Sequence, residues 1–344
     1  MRTASTLPFV LGAVALTLMA AGCEGGKKNA GSVNATATGS LTAQPPVGRP
    51  KQNVRIVIVT HGQASDPFWA VVRRGIDEAA RDLGVTVSYQ APDVFDAGRM
   101  RTLIETAVAT EPDGLVVSIP DATVLGPAIS QAADSGIPVV AINSGANAFR
   151  RLGALLYVGQ PEYAAGVGAG RRMAAAGVRN AICVNHQVGA SSLDQRCRGF
   201  AAALARAGGR SRVLTVDLQA QPEAERRIAA AASAGGVDGV LTLGPAGATP
   251  ALEAFAAKRL FGKVKLATFD LAPDILRALR DRKLLFSIDQ QPFLQGYLPV
   301  LFLTQRSLYG LIPAAGTVIP TGPNFVTPAD AALVQQLTSA GIRG

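Results

Sequence analysis

The sequence predicts an α/β protein of two similar doubly wound parallel-sheet lobes, joined by a three-segment hinge with a cleft between them. Three observations carry this expectation. The chain has 344 residues, room for about two domains of ~150 residues each. From Val54 onward, strand-length apolar runs alternate with helix-length amphipathic segments, the pattern of a parallel sheet buried on both faces. The alternation then repeats at a shift of 124 to 126 residues.

Composition narrows the classes. A content of 48% hydrophobic and 17% charged residues argues against a disordered chain. The 37 glycines follow no three-residue period, which excludes collagen. Three cysteines and two histidines cannot build paired CxxC knuckles, so no zinc ribbon is expected and no metal site is assigned. The excess of 33 Lys+Arg over 24 Asp+Glu gives +9, but the basic residues are scattered. Scattered charge reads as solvated surface rather than a nucleic-acid footprint.

The first element is a leader. Arg2 provides a positive start, Leu7 to Ala21 is an uncharged apolar run, and Ala20, Ala21 and Gly22 are small. The run is short for a membrane-spanning helix of ~20 residues, so residues 1–22 read as a signal peptide. Ala-Ala-Gly-Cys resembles the lipobox of bacterial lipoproteins, with Ala20 where leucine is usual. That resemblance implies lipidation of Cys23 and attachment to a membrane; plain cleavage with Cys23 incidental is the alternative. Residues 23–53 are rich in Gly, Ser, Thr, Ala, Asn and Pro and read as a flexible linker behind the lipid. With Cys23 set aside, Cys183 falls late in a strand and Cys197 on the next helix. An exported chain permits a disulfide between them, and two separate buried thiols fit equally well.

The folded part begins with a strand at 54–60 and a helix at 68–83 ending at Gly84. Strands follow at 85–89, 114–118 and 138–142, with helices at 97–110 and near 122–135. In the second half Val178-Arg179 repeats Val54-Arg55, His186 repeats His61, and Gly199 repeats Gly75. Asp238-Gly239 repeats Asp113-Gly114, Pro245 repeats Pro120, and Gly262 repeats Gly136. One offset held across separate elements indicates a duplicated lobe. The chain is expected to cross between lobes near 157–160, 289–292 and 318–325. The first lobe is therefore 54–158 plus 292–318, and the second 159–291 plus 319–344. In such sheets the loops at the carboxyl ends of strands line the cleft.

Four motifs in order then carry a family resemblance: Asp66-Pro-Phe-Trp with Gly75, Gln195-Arg-Cys-Arg-Gly-Phe200, Ala267-Thr-Phe-Asp270, and Ser287-Ile-Asp-Gln-Gln-Pro292. They resemble type I periplasmic binding proteins of the ribose- and galactose-binding branch, which have two Rossmann-like lobes and serve bacterial ABC sugar importers. The resemblance covers about 54–327. It implies ligand contacts at Asp66, Phe68, Trp69, Ser118, Asn143, Ser144, Arg196, Asp270 and Gln290. Asp66 stands where Asn is usual, Asn143-Ser144 where ribose binders carry Asp-Arg, and Gly244 where Asn is usual. The chemistry agrees, because a polyol has a C–H face for aromatic rings and hydroxyls for Asp, Asn, Arg and Gln.

Structural roles compete at several positions. Phe68-Trp69 reads also as helix-start core, Asp66 as a cap before Pro67, and Asp270 as a cap for a helix near Pro273. Arg196 reads also as helix surface, Asn143 as a turn residue, and Asp121 as an N-cap. His61 and His186 occupy equivalent loops, as ligand contacts or surface. Gly166-Val-Gly168-Ala-Gly170 fails as a dinucleotide motif, since Arg171 replaces the third glycine within a helical pattern. No P-loop, GxSxG or HExxH occurs, so no enzyme and no cofactor is expected. The resemblance implies a monomer that closes on a monosaccharide or polyol and meets an ABC permease. A sensor of the same fold or a nucleoside binder are the alternatives.

Overall fold

The computed structural model describes residues 50–62, 66–339 and 343; the leader, Cys23 and the linker through residue 49 lie outside the described residues. The first lobe holds β1 (Arg55–Val59), α1 (Pro67–Leu83), β2 (Thr86–Gln90), α2 (Ala97–Ala109), β3 (Gly114–Ser118), α3 (Ala122–Asp134), β4 (Val139–Ile142) and β5 (Leu156–Gly159). The second holds α4 (Glu162–Ala175), β6 (Asn180–Asn185), α5 (Ser191–Arg206), β7 (Arg210–Thr215), α6 (Gln221–Ala232), β8 (Gly239–Thr242), α7 (Pro245–Ala257), β9 (Lys265–Phe269), α8 (Pro273–Arg280) and β10 (Ser287–Asp289). The chain returns to the first lobe through α9 (Pro292–Tyr309) and β11 (Thr317–Pro320), then closes on the second with β12 (Asn324–Val326) and α10 (Ala331–Ser339).

Each lobe carries one six-stranded sheet, ordered β11-β5-β4-β3-β1-β2 in the first and β12-β10-β9-β8-β6-β7 in the second. All pairings are parallel except β10 with β12. Helices cover both faces. In β1, Ile56 and Ile58 pack toward α1 and α9, whereas Val57 and Val59 pack toward α2 and α3. Side chains alternate across a strand, so burial on both faces produces the continuous apolar run in the sequence.

The duplication extends to hydrogen bonds. Asp113 Oδ2 accepts from the Arg55 N–H at 2.8 Å, and Asp238 Oδ2 accepts from the Arg179 N–H at 2.9 Å. The glycine pair has matching work as well. A Cβ on Gly75 would stand 2.1 Å from the Phe293 carbonyl oxygen, and one on Gly199 2.1 Å from the Tyr163 oxygen. Gly296 and Gly166 complete these contacts from α9 and α4, at 2.0 Å from Val72 O and 2.1 Å from Arg196 O. The glycine-rich run 166–170 is thus a helix-packing surface, which brings the α4 backbone against α5.

One boundary differs from the sequence expectation. β11 pairs Ile319 with Val158 and Pro320 with Gly159, which carries the first lobe's sheet past 318. Leading into β10, Leu285 N–H donates to Leu266 O at 2.8 Å and Phe286 O accepts from the Thr268 N–H at 3.2 Å, while Leu284 and Phe286 are buried core.

Cys183 and Cys197 are bonded, with their Cα atoms 5.7 Å apart. The link ties β6 to α5 across a separation of 14 residues. Constraining a loop of that size in the unfolded chain stabilises the fold by about 3 kcal/mol. The Cys183→Ala/Cys197→Ala protein is therefore expected to melt roughly 5–10 °C lower. An unchanged melting temperature in the double variant would refute this assignment.

Candidate functional site

Both sheets direct the carboxyl ends of their strands at one cleft, which holds about 420 Å³ counting its open side. The first lobe contributes His61 after β1, Asp66, Phe68 and Trp69 at the start of α1, and Asn143 after β4. From the second come His186 and Gln187 after β6, Ser192, Leu193 and Arg196 on α5, Leu243 to Ala246 after β8, Asp270 after β9, and Gln290 after β10.

Backbone turns aim the key side chains. Asn143 and Asp270 leave their strands in the left-handed region, at φ 59° and 61°. Asn and Asp tolerate that conformation better than other side-chain-bearing residues. Their main-chain groups are already used: Asn143 N–H donates to Val158 O and its carbonyl accepts from Tyr157 Oη, while Asp270 N–H donates to Ile288 O and its carbonyl accepts from Ser287 Oγ. The side chains are thereby free to face the cleft.

Arg196 is the electrostatic centre. Its Nε and Nη2 donate to the two carboxylate oxygens of Glu162 at 2.6 and 2.9 Å, and Nη1 donates to Leu243 O at 2.8 Å. The guanidinium lies 4.4 Å from the centre of the Phe269 ring. Nη1 is also 3.9 Å from Asp270 Oδ2, a charge contact longer than a hydrogen bond. Asp270 Oδ1 accepts from Gln290 Nε2 at 2.7 Å. Burial nevertheless outweighs Arg196 and Gln290 and pushes the Asp270 carboxyl up to about 7.

Burial also decides the histidines. It lowers His61 to about 3 and His186 to about 4, with Arg196 adding to the effect, so both rings are neutral at physiological pH. Ser118 Oγ accepts the His61 N–H at 3.0 Å and lies 2.7 Å from Nδ1. The hydroxyl donates to Nδ1 when the ring proton is on Nε2 and accepts from it in the other tautomer. Trp69 meets the His61 ring edge-on at 4.9 Å and Phe68 at 5.1 Å, forming an aromatic wall on the first lobe. Among the described residues, no cluster of three or more His, Cys, Asp or Glu side chains gathers to hold a metal.

The lobes touch across this cleft. Ser144 Oγ lies 3.2 Å from Ser192 Oγ, and Ser191 N–H donates to Pro120 O at 3.1 Å. At the hinge, Gln295 Nε2 donates to Gln290 Oε1 and Thr321 Oγ1, while its Oε1 accepts from Asn143 Nδ2 at 3.3 Å. Gln160 Nε2 donates to Glu162 Oε2 at 2.9 Å, so the first crossing is coupled to Arg196.

Seven of the nine residues expected to contact ligand line the cleft: Asp66, Phe68, Trp69, Asn143, Arg196, Asp270 and Gln290. Ser118 and Ser144 do not; the first orients His61 from behind and the second bridges the lobes. Asp66 combines both readings, lining the cleft and capping α1 by accepting the Phe68 N–H at 3.0 Å. Burial raises its pKa, against that hydrogen bond. Asp121 is an N-cap, accepting from Thr123 and Val124. Glu162 and Gln295 were not foreseen. A glutamate in the first turn of a helix and a glutamine within one carry no local sign of burial.

Two lobes with a convergent polar cleft between them define a ligand-binding protein. The chain belongs to the periplasmic binding protein family: the family model for the periplasmic binding protein domain matches residues 56–306. That family works outside the cytoplasm, and its members bind rather than transform their ligands. A carbohydrate transporter from Acidothermus cellulolyticus 11B, solved in complex with myo-inositol, is 35% identical; the match covers 84% of this chain and 99% of that one, with a TM-score of 0.79. The xylose/arabinose-binding protein of Sulfolobus acidocaldarius is 25% identical over 301 residues, 79% of this chain and 71% of that protein. A solute-binding protein of an ABC transporter from Burkholderia graminis C4D1M, solved with D-arabinose, shares the fold at 21% identity and a TM-score of 0.73, covering 82% of this chain and 98% of that one.

Proposed function

We propose that this protein captures a neutral monosaccharide or related polyol outside the cytoplasm and delivers it to an ABC permease. The observation that carries the reading is the pairing of an aromatic wall, Phe68 and Trp69, with convergent Asp66, Asn143, Arg196, Asp270 and Gln290. Rings take the C–H face of a sugar; carboxylates accept from hydroxyls, Arg donates, and amides do both. The charges favour a neutral ligand, because Arg196 is already matched by Glu162. The relatives that hold myo-inositol or are named for xylose and arabinose support the same class. Closure about the three crossings encloses the ligand, and the closed lobes present the surface a permease reads. Attachment through a lipid on Cys23 and a monomeric state belong to this proposal and rest on the sequence reading.

Titration of full-length protein with monosaccharides, cyclitols and nucleosides tests it. A ligand at 100 times its dissociation constant stabilises the native state by about 2.7 kcal/mol, a shift of several degrees in melting temperature. A sugar or cyclitol hit is expected. Hits confined to nucleosides would move the ligand class, and silence from folded, ligand-free protein would reject the reading.

A further inference from the structure

Gly244 caps α7 and lines the cleft beside His186 and Asp270. The two usual reasons for a glycine are absent there. Its φ of 165° and ψ of 171° are extended backbone that any residue adopts. A Cβ built on it meets nothing closer than 3.6 Å, an ordinary contact, in contrast to the 2.1 Å clashes at Gly75 and Gly166. Neither conformation nor packing excludes a side chain. What a side chain would occupy is space inside the cleft.

The atoms around that space are polar. Asp270 Oδ2 and His186 Cε1 stand 3.6 Å from the Cβ position, and His186 Nε2 stands 4.0 Å from it. Asp270 Oδ1 is engaged by Gln290, which leaves Oδ2, among the described residues, with only the long Arg196 contact of 3.9 Å. The other ring nitrogen, His186 Nδ1, is buried without a hydrogen-bond partner among the described residues, against the first turn of α7 at Gly247. A ligand oxygen entering the gap therefore meets an acceptor on Asp270 and a ring nitrogen on His186.

We propose that Gly244 determines specificity: the gap it leaves receives an additional ring substituent. The site then selects fully substituted six-membered rings, a cyclic hexol or a hexopyranose with its hydroxymethyl group, over pentopyranoses. The inference rests on the polyol reading above. Asp66, Asn143, Arg196 and Gln290 already offer polar stations around the cleft, and the gap adds another. A pentopyranose carries one bare CH2 in its ring, so a pose that fills the gap leaves another station facing that carbon. Buried polar groups left unpaired are what make such a site discriminate.

The test is calorimetric titration of full-length protein, wild type and Gly244→Ala. The ligands are myo-inositol, D-glucose, D-galactose and D-mannose against D-xylose and L-arabinose. Wild type is expected to bind at least one fully substituted ring about tenfold or more tightly than either pentose. Gly244→Ala is expected to weaken that ligand by about tenfold while leaving pentose affinity within about threefold, because the methyl enters only the gap. The ligand-free melting temperature should not change, since the Cβ clashes with nothing. Gly244→Val, which fills more of the gap, extends the same trend. Pentoses binding as tightly as the larger rings in wild type would overturn the inference, as would equal weakening of both classes in the variant. Binding of no ring from either class would overturn the polyol reading and this inference with it.

Discussion

Replacing Arg196 with methionine is expected to lower the melting temperature by roughly 10 °C and to weaken ligand binding by about 100-fold. The two effects have different origins, and a second substitution separates them. Arg196 and Glu162 have side chains only 3% and 2% exposed, with a two-pronged bond between them. Removing the guanidinium strands a carboxylate without water or a counter-charge, a loss of about 3–5 kcal/mol when a buried pair is broken from one side. Most of that cost belongs to the abandoned Glu162. The double variant Arg196→Met/Glu162→Leu removes both charges of the pair and should recover most of the stability, since apolar replacements of buried pairs are often neutral. Binding should stay weak in the double variant, because the Nη1 donor at the cleft is still missing. Thermal melts and titrations of the three proteins check this; recovery of binding along with stability would remove Arg196 from the ligand site.

Asp270→Asn is expected to stabilise the ligand-free protein at pH 8 while weakening ligand binding by about 10- to 100-fold. In the folded protein burial holds this carboxyl at about 7, above the ordinary value of 3.8. The native state thus binds more protons than the unfolded chain between those values, so this group's contribution is fully present below pH ~4 and is lost as pH rises through 7. At ~1.4 kcal/mol per pH unit the loss approaches about 4 kcal/mol. Asn keeps an acceptor for Gln290 and carries no charge, so the difference in stability between variant and wild type should grow from pH 4 to pH 8. A difference that stays flat over that range would show that Asp270 does not titrate there. A ligand hydroxyl donating to Oδ2 favours the carboxylate, so wild-type binding near pH 6 should release protons and tighten toward pH 8. Calorimetry in buffers of different ionisation enthalpy measures that release, which Asp270→Asn should abolish.

These two residues also mark how far the sequence could be read. Arg196 and Asp270 were legible as site candidates through the family motifs that hold them; Asp270 also follows the carboxyl end of β9, whereas Arg196 sits on α5. The family resemblance also marked Asp66, Phe68, Trp69, Asn143 and Gln290. Ser118 was legible as a polar loop residue, but its hydroxyl is taken by His61. Ser144 neighbours a site residue in sequence, yet its side chain turns to Ser192 of the other lobe.

The sequence by itself determined the alternation of strand and helix and the duplication of the lobe, and it offered the caps at Asp66 and Asp121 as one of two readings. Each is a local or periodic property: burial on two sheet faces, a repeated offset, a side chain reaching N–H groups two or three residues ahead. Only the tertiary structure decided that Glu162 is the partner of Arg196, 34 residues away, and that Gln295 joins Asn143, Gln290 and Thr321 at the hinge. Those pairings depend on how closely whole helices approach, and the approach of α4 to α5 is set by backbone contact at Gly166 and Gly199. A buried polar side chain takes whichever complementary group packing delivers, because leaving it unpaired in a low-dielectric interior costs more than any local preference can offset.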